Sequence, residues 1–289
     1  MSEETAADRE NVFPIRDLSA KTSVNTVTLR AWERRYGLLK PQRTSKGHRL
    51  YSEADVATVE KILSLVSRGV PLTKVKPLLS EQSSAEVMTG GNDWSASVDK
   101  LIATIGAFSA SRIEPVIDEF FLNYPANVCR EQLVEPAFER LTNLPSKASL
   151  LFAESELLRY TLFRLNFTVR NDQRPVICLM YGPNTPIWRL CLMAMELSDA
   201  NYKVEIISQE VTLNDCLELT GQRTNVTTVF YQDGVWRKDE GEVASVAIAQ
   251  NNQFFLCGTA AILAAVKGEN PVFSDLNHCT SFLLKGVNS

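Results

Sequence analysis

The sequence predicts a multidomain chain: an all-α basic head carrying a two-stranded wing, then a four-helix bundle, then an α/β domain with a doubly wound sheet. Three observations carry this. Residues 11–80 hold 13 Lys/Arg against 5 Asp/Glu, although the 289-residue chain as a whole has a net charge of −4. Residues 95–170 repeat apolar side chains at helical spacing. After Arg174-Pro175 the pattern changes to short apolar runs alternating with helical stretches. Hydrophobic content of 45% is enough for packed cores in a chain long enough for two or three domains.

Residues 1–10 are acidic and polar and read as a disordered tail. Ile15, Leu18 and Ala20 begin a first short helix. Asn25 or Thr26 caps a second that runs through Arg35, stopped by Gly37 and kept from resuming by Pro41. Gly47 falls in a turn between Arg43 and Arg49, as a two-stranded wing requires. Ser52 precedes E-A-D-V, a capping signal for a third helix through about Arg68. Gly69 and Pro71 end it, and a short helix carries Lys74, Lys76, Leu78 and Leu79. The head therefore spans residues 11–80. Residues 81–94 are a Ser/Gly-rich acidic linker, and Gly90-Gly91 speaks against one long helix leaving the head.

Four apolar stripes follow, through Val98–Ile105, Val116–Phe121, Leu133–Leu141 and Phe152–Leu165, and define a helical bundle over 95–172. In residues 173–289, strands are expected at 176–181, 204–207, 226–231 and 254–257. Helices are expected at 186–200, 213–222, 242–251 and 259–267. The stretch Asp233-Gly234-Val235-Trp236 is either a hairpin excursion or a connection.

The composition excludes several classes. No run approaches the roughly 20 apolar residues that span a bilayer, and no signal peptide opens the chain, so a cytoplasmic location is expected. The six cysteines form no CxxC pair and sit mostly in apolar runs, as buried free thiols do; two histidines at no ligand spacing exclude a zinc site. No Ser/His/Asp, Cys/His or HExxH arrangement marks an enzyme, and no catalytic residue is assigned.

The most informative stretch is TVTLRAWERRYGLLKPQRTSKGHRLY, residues 26–51. It joins a short amphipathic helix, a stopped turn and a basic loop, which suits a helix laid in a DNA groove with flanking phosphates clamped. Asn25, Thr26, Thr28 and Arg30 fall at the helix start, where base edges are read. Arg34 and Arg35 at its end, and Arg43, Lys46 and Arg49 in the wing, suit phosphates. His48 suits a minor groove, and Tyr51 is either a packing residue or a hydroxyl on a phosphate. Leu29, Trp32, Leu38 and Leu50 read as core, and Glu33 as the partner of a neighbouring arginine.

Residues 13–79 resemble the winged helix-turn-helix domain of the MerR family of transcription regulators, most densely over TLRAWERRYGLLKPQRTSKGHRLYSEADV, residues 28–56. The AWERRYGL form is similar to a subgroup that includes cobalamin-dependent photoreceptor repressors and a related curli and biofilm regulator. The resemblance implies double-stranded promoter DNA as ligand and RNA polymerase as partner. It also implies a homodimer on a pseudo-palindromic site, and activation by bending and untwisting an over-long spacer. Because of the linker, self-association is expected within residues 95–289.

Residues 97–285 resemble, more weakly, the cobalamin-binding module of those photoreceptors and of methionine synthase: a helical cap followed by a Rossmann-like (flavodoxin-like) domain. That family places its cobalt-ligating histidine in a loop after the first strand. Here Tyr181-Gly182-Pro183-Asn184-Thr185-Pro186-Ile187-Trp188 contains none. A degenerate module with no cofactor is therefore expected, acting as a sensor or assembly platform for a signalling protein or small ligand. The competing expectation is a cobalamin-dependent sensor or methyl-transfer subunit.

Overall fold

The computed structural model describes residues 12–80, 94–166, 173–268 and 270–285. The acidic tail and the Gly90-Gly91 linker, both expected from the sequence, lie outside these residues. Contacts divide the chain into two units, Met1–Pro145 and Ser146–Ser289. Each is described by itself.

The first unit begins with β1 (Phe13–Pro14) and α1 (Ile15–Thr22), which ends at Ser23 in the left-handed region, φ 53°. The next helix, α2 (Thr26–Ala31), starts where the sequence places its cap: the Asn25 side chain accepts from the Val27 N–H at 2.8 Å. It does not continue as a uniform α-helix through Arg35. Trp32–Tyr36 forms a π-helical turn, closed by Gly37 at φ 60° with its N–H on the Glu33 carbonyl. A positive φ of that size favours glycine, which explains the stop at this position.

Strands β2 (Gln42–Arg43) and β3 (Arg49–Tyr51) pair antiparallel around Gly47, φ 81°. They form the expected two-stranded hairpin. The sequence reading missed that β1 adds to it, Phe13 opposite Tyr51, giving the order β1-β3-β2. Ser52 opens α3 (Glu53–Ser67) with a capping box, its N–H donating to the Asp55 carboxylate at 2.9 Å. Then α4 (Leu72–Ser80) follows. Leu18, Val24, Leu29, Trp32, Tyr51, Val59, Ile62, Val66 and Val75 are fully buried and form the core of this part.

The same unit continues with α5 (Trp94–Gly106), α6 (Ala110–Asn123), α7 (Ala126–Cys129), a π-helical turn Arg130–Val134 and α8 (Glu135–Thr142). The third of the four expected stripes is thus one continuous helical path with a π turn in it. The fourth stripe, α9 (Ala148–Leu165), falls in the second unit.

In the second unit the strands are β4 (Val176–Tyr181), β5 (Lys203–Ile206), β6 (Val226–Tyr231), β7 (Phe254–Cys257) and β8 (Val272–Phe273). All pairings are parallel, in the order β5-β4-β6-β7-β8. This is the flavodoxin-like order, with the reversal between β4 and β6. The helices are α10 (Ile187–Asp199), α11 (Leu213–Gly221), α12 (Lys238–Gln250), α13 (Thr259–Leu263) and α14 (Leu276–Lys285).

Alternate residues of each strand serve opposite cores. Ile177, Leu179, Tyr181, Val229 and Tyr231 pack with α10 and α14, while Cys178, Met180 and Phe230 pack with α11, α12 and α13. Burial on both faces is why β4 reads as an unbroken apolar run. Asp233–Trp236 is a connection rather than a hairpin: α12 starts at Lys238, capped through Glu240, and Trp236 is buried, stacked on Phe230. The helix expected over 259–267 stops at Leu263, because Ala265 takes φ 50°. Strand β8 and helix α14 were not foreseen. All six cysteines are free and buried. Among the described residues, no helix is long and apolar enough to cross a membrane.

Candidate nucleic-acid interface

Along α2 and the π-helical turn that continues it, the core row is Thr28, Leu29 and Trp32, all at 0% exposure. With 3.6 residues per turn, the opposite row is Thr26, Arg30 and Arg34, with Val27 beside it. Val27, Arg30 and Arg34 are exposed and Thr26 half-buried, so the solvent face of the helix carries two cations and two small side chains. Among the described residues Arg30 and Arg34 make no ion pair, which leaves both guanidinium groups available to an anion. Asn25 serves the cap and is half-buried.

Glu33, in the π-helical turn that follows α2, faces the hairpin. Its carboxylate takes Arg43 Nη2 at 3.1 Å on one oxygen and Arg49 Nε at 2.5 Å on the other. Its side chain is only 13% exposed, so this pair of ion pairs is partly shielded from screening by salt. The Arg49 guanidinium is pushed above its ordinary pKa, first by the hydrogen bond to Glu33. An arginine has five N–H donors, so each keeps some free for a second acceptor. Lys46 and His48 stand exposed at the tip of the hairpin. The tip is stiffened by two bonds: Thr44 N–H to the His48 carbonyl at 2.9 Å, and His48 N–H to the Thr44 hydroxyl at 3.0 Å.

The structure thus brings Thr26, Arg30, Arg34, Arg43, Lys46, His48 and Arg49 onto one helix face and the adjoining hairpin. It corrects two of the residues expected in this interface. Thr28 is fully buried with its hydroxyl unpartnered among the described residues, because it falls on the core row of α2. Tyr51 is likewise buried; its hydroxyl is also unpartnered, and burial lifts its pKa to about 12. Both are packing residues. Arg35 is exposed at the far end, but its Nη1 donates to Asn123 Oδ1 at 3.2 Å on α6. Sequence reasoning missed Asn123. No local signal marks it, since its role depends on a contact 88 residues distant.

The other candidate site is the carboxyl edge of the parallel sheet, where a doubly wound domain places a ligand. Here it is crossed by a network centred on Asp233. Tyr231 donates its hydroxyl to Asp233 Oδ2 at 2.6 Å, and the Thr259 N–H reaches Oδ1 at 3.1 Å. The Asp233 N–H reaches the Thr185 hydroxyl at 3.1 Å. A Cβ on Gly182 would lie 2.4 Å from Gln232 Oε1, so the Gln232 side chain fills the space above that glycine. The same Oε1 accepts from Trp236 Nε1 at 2.8 Å. Trp188 is 4% exposed. Burial, then the Asp233 carboxylate, drives the Tyr231 hydroxyl well above the usual phenol range. His278 is exposed and bonded to Asp275 at 2.7 Å. Among the described residues no group of three His, Cys, Asp or Glu is placed to hold a metal.

Comparison with known proteins agrees with the head. The chain is 28% identical over 203 residues to the HTH-type transcriptional regulator MlrA of Salmonella typhimurium, covering 70% of this chain and 82% of that protein. It is 36% identical over 130 residues to MlrA of Escherichia coli, covering 45% and 52%. It is 30% identical over 136 residues to the HTH-type transcriptional repressor CarH of Myxococcus xanthus, covering 44% and 46%. Among solved structures it is similar to a monomethylamine corrinoid protein of Methanosarcina barkeri, with a TM-score of 0.47, 8% identity, and coverage of 66% of this chain and 99% of that one. Residues 13–82 match the family described as MerR HTH family regulatory protein, and these residues are the α2 face, the hairpin and the two helices behind them. Residues 13–82 are thus similar to the helix-turn-helix domain of the MerR family, and the relatives that share them are named as transcriptional regulators.

Proposed function

We propose that the chain reads promoter DNA with α2 in the major groove and the β2–β3 hairpin as a wing on the flanking backbone. The observation that carries this reading is the joint placement of Arg30 and Arg34 on the solvent face of α2 with Arg43 and Arg49 anchored beside it by Glu33. A groove about 12 Å wide admits one helix of this size, which lets Thr26 and Arg30 reach base edges while Arg34 and Lys46 meet phosphates. By likeness to the MerR family, two copies act on a pseudo-palindromic site, bending and untwisting it for RNA polymerase. We assign self-association to residues 95–289, with residues 173–289 as the sensing or assembly module.

Salt titration separates the roles. Arg34→Ala is expected to weaken binding evenly across sequences and to reduce the slope of log affinity against log salt by about 0.9, the loss of one phosphate contact. Arg30→Ala is expected to cost about 1–3 kcal/mol on the preferred sequence and much less on random DNA. Equal loss on both would remove Arg30 from base reading.

The α/β domain does not suit the cobalamin that its resemblance implies. Supporting this are the absence of histidine from residues 181–188, the Gln232 side chain in the space above Gly182, and the Asp233 network across the sheet edge. No step is therefore assigned to that cofactor. Full-length protein incubated with hydroxocobalamin and then desalted is expected to retain no corrin absorbance; stoichiometric retention would restore the cobalamin-sensor reading.

A further inference from the structure

We propose that Asn123 withholds Arg35 from DNA, so that the end of α6 sets how many phosphate contacts the recognition helix makes. The inference rests on the DNA-reading assignment above. Asn123 is 5% exposed and bonded through three of its atoms. Its backbone carbonyl accepts from Trp32 Nε1 at 2.8 Å, its Nδ2 donates to the Glu119 carbonyl at 2.5 Å, and its Oδ1 takes Arg35 Nη1 at 3.2 Å. Because the amide nitrogen is used by a carbonyl, the oxygen end faces Arg35. The last residue of α6 thereby grips the π-helical turn of the recognition element at two points.

The chemistry of the grip is that of an exchangeable contact. Arg43 and Arg49 face a carboxylate, whereas Arg35 faces a neutral amide. The bond turns the guanidinium toward α6, and a contact to a neutral amide is weaker than one to a carboxylate, so a small displacement of α6 is enough to break it. Room for the exchange exists: a cleft of about 300 Å³ lined by Val27, Ala31, Arg34, Arg35 and Leu122 separates this flank of α2 from α6. In the Asn123-bound state the helix offers Arg34 to the backbone; released, it offers Arg34 and Arg35 together. A shift of α6 relative to α2 that breaks the Asn123–Arg35 bond would tighten DNA binding without altering the base-reading residues.

The test uses the full chain and a duplex selected from a random-sequence pool with the same protein, with affinity measured across a salt series. Arg35→Ala alone is expected to leave the salt slope unchanged and affinity within about twofold, since the wild-type arginine is held by Asn123. Asn123→Ala is expected to steepen the slope by about 0.9 and tighten binding roughly 3- to 10-fold. Arg35→Ala in the Asn123→Ala background is expected to remove both gains. A drop of about 0.9 in the slope for Arg35→Ala alone would overturn the proposal, as would a folded Asn123→Ala protein with an unchanged slope. Arg35 is a surface position, so its single variant decides the matter even where Asn123→Ala fails to fold. If no duplex is selected, the DNA reading itself fails; a selected duplex with the wrong Arg35 response sinks the withholding alone.

Discussion

Trp32→Ala is expected to destabilise the first unit by about 3–5 kcal/mol and to abolish DNA binding at temperatures where the wild type is folded. The indole is completely buried between the helices of the head and α6, and its Nε1 donates to the Asn123 carbonyl. Truncation removes the packing, leaves a cavity, and strips a partner from a buried carbonyl at the end of α6. Stability of a domain is only about 5–15 kcal/mol, so a loss of this size is a large share of the total. It falls on the element that carries Arg30 and Arg34. Trp32→Phe restores most of the volume but not the donor, and should cost about 1–3 kcal/mol. Chemical denaturation followed by far-UV circular dichroism measures both. An alanine variant within about 1 kcal/mol of wild type would remove Trp32 from the core.

In the second unit the largest single effect is expected at Asp199. Its side chain is 3% exposed and accepts from Arg164 Nη2 at 2.9 Å, joining α9 to α10. Burial acts to lower the Arg164 pKa, but Asp199 and Tyr160 outweigh it and hold the guanidinium above its ordinary value. Arg164 cannot escape by losing its proton. Asp199→Ala therefore leaves a buried cation without its carboxylate and is expected to cost about 3–5 kcal/mol. Replacing both partners, Arg164→Met with Asp199→Leu, removes two desolvation penalties together. The double variant should lie within about 1 kcal/mol of wild type or above it. Urea unfolding of the two singles and the double gives the coupling directly; additive costs would mean that the two side chains do not interact.

Much of this fold is legible locally, and the exceptions share a cause. Asn25 as a cap, Gly37 as a stop, Gly47 in a tight turn and Ser52 with Asp55 each act within a few residues, so sequence alone places them. The continuous apolar run of β4 likewise announces burial on both faces. What escaped depends on distant partners. Two residues, Phe13 and Pro14, are too few for a strand signal and become one only against Tyr51 and Leu50. Thr28 has the polarity of a base contact, but helical phase puts it on the row of Leu29 and Trp32. The π turn at Trp32–Tyr36 coincides with the Trp32 and Arg35 contacts to Asn123, which no window around α2 contains. For the interface, the exposed cations were readable from composition; which acceptor each one faces was not.

Glu33 has an entropic consequence. A free arginine side chain loses up to about 2 kcal/mol of rotational freedom when it is fixed on a phosphate. Arg43 and Arg49 have already given up much of theirs to one carboxylate during folding. On the proposed DNA reading, these two side chains would meet a phosphate already oriented, with the helix and hairpin as one preset surface. Less side-chain entropy would then be lost on binding, and Glu33→Gln, which loosens both arginines, is expected to weaken DNA binding although residue 33 need not touch the DNA.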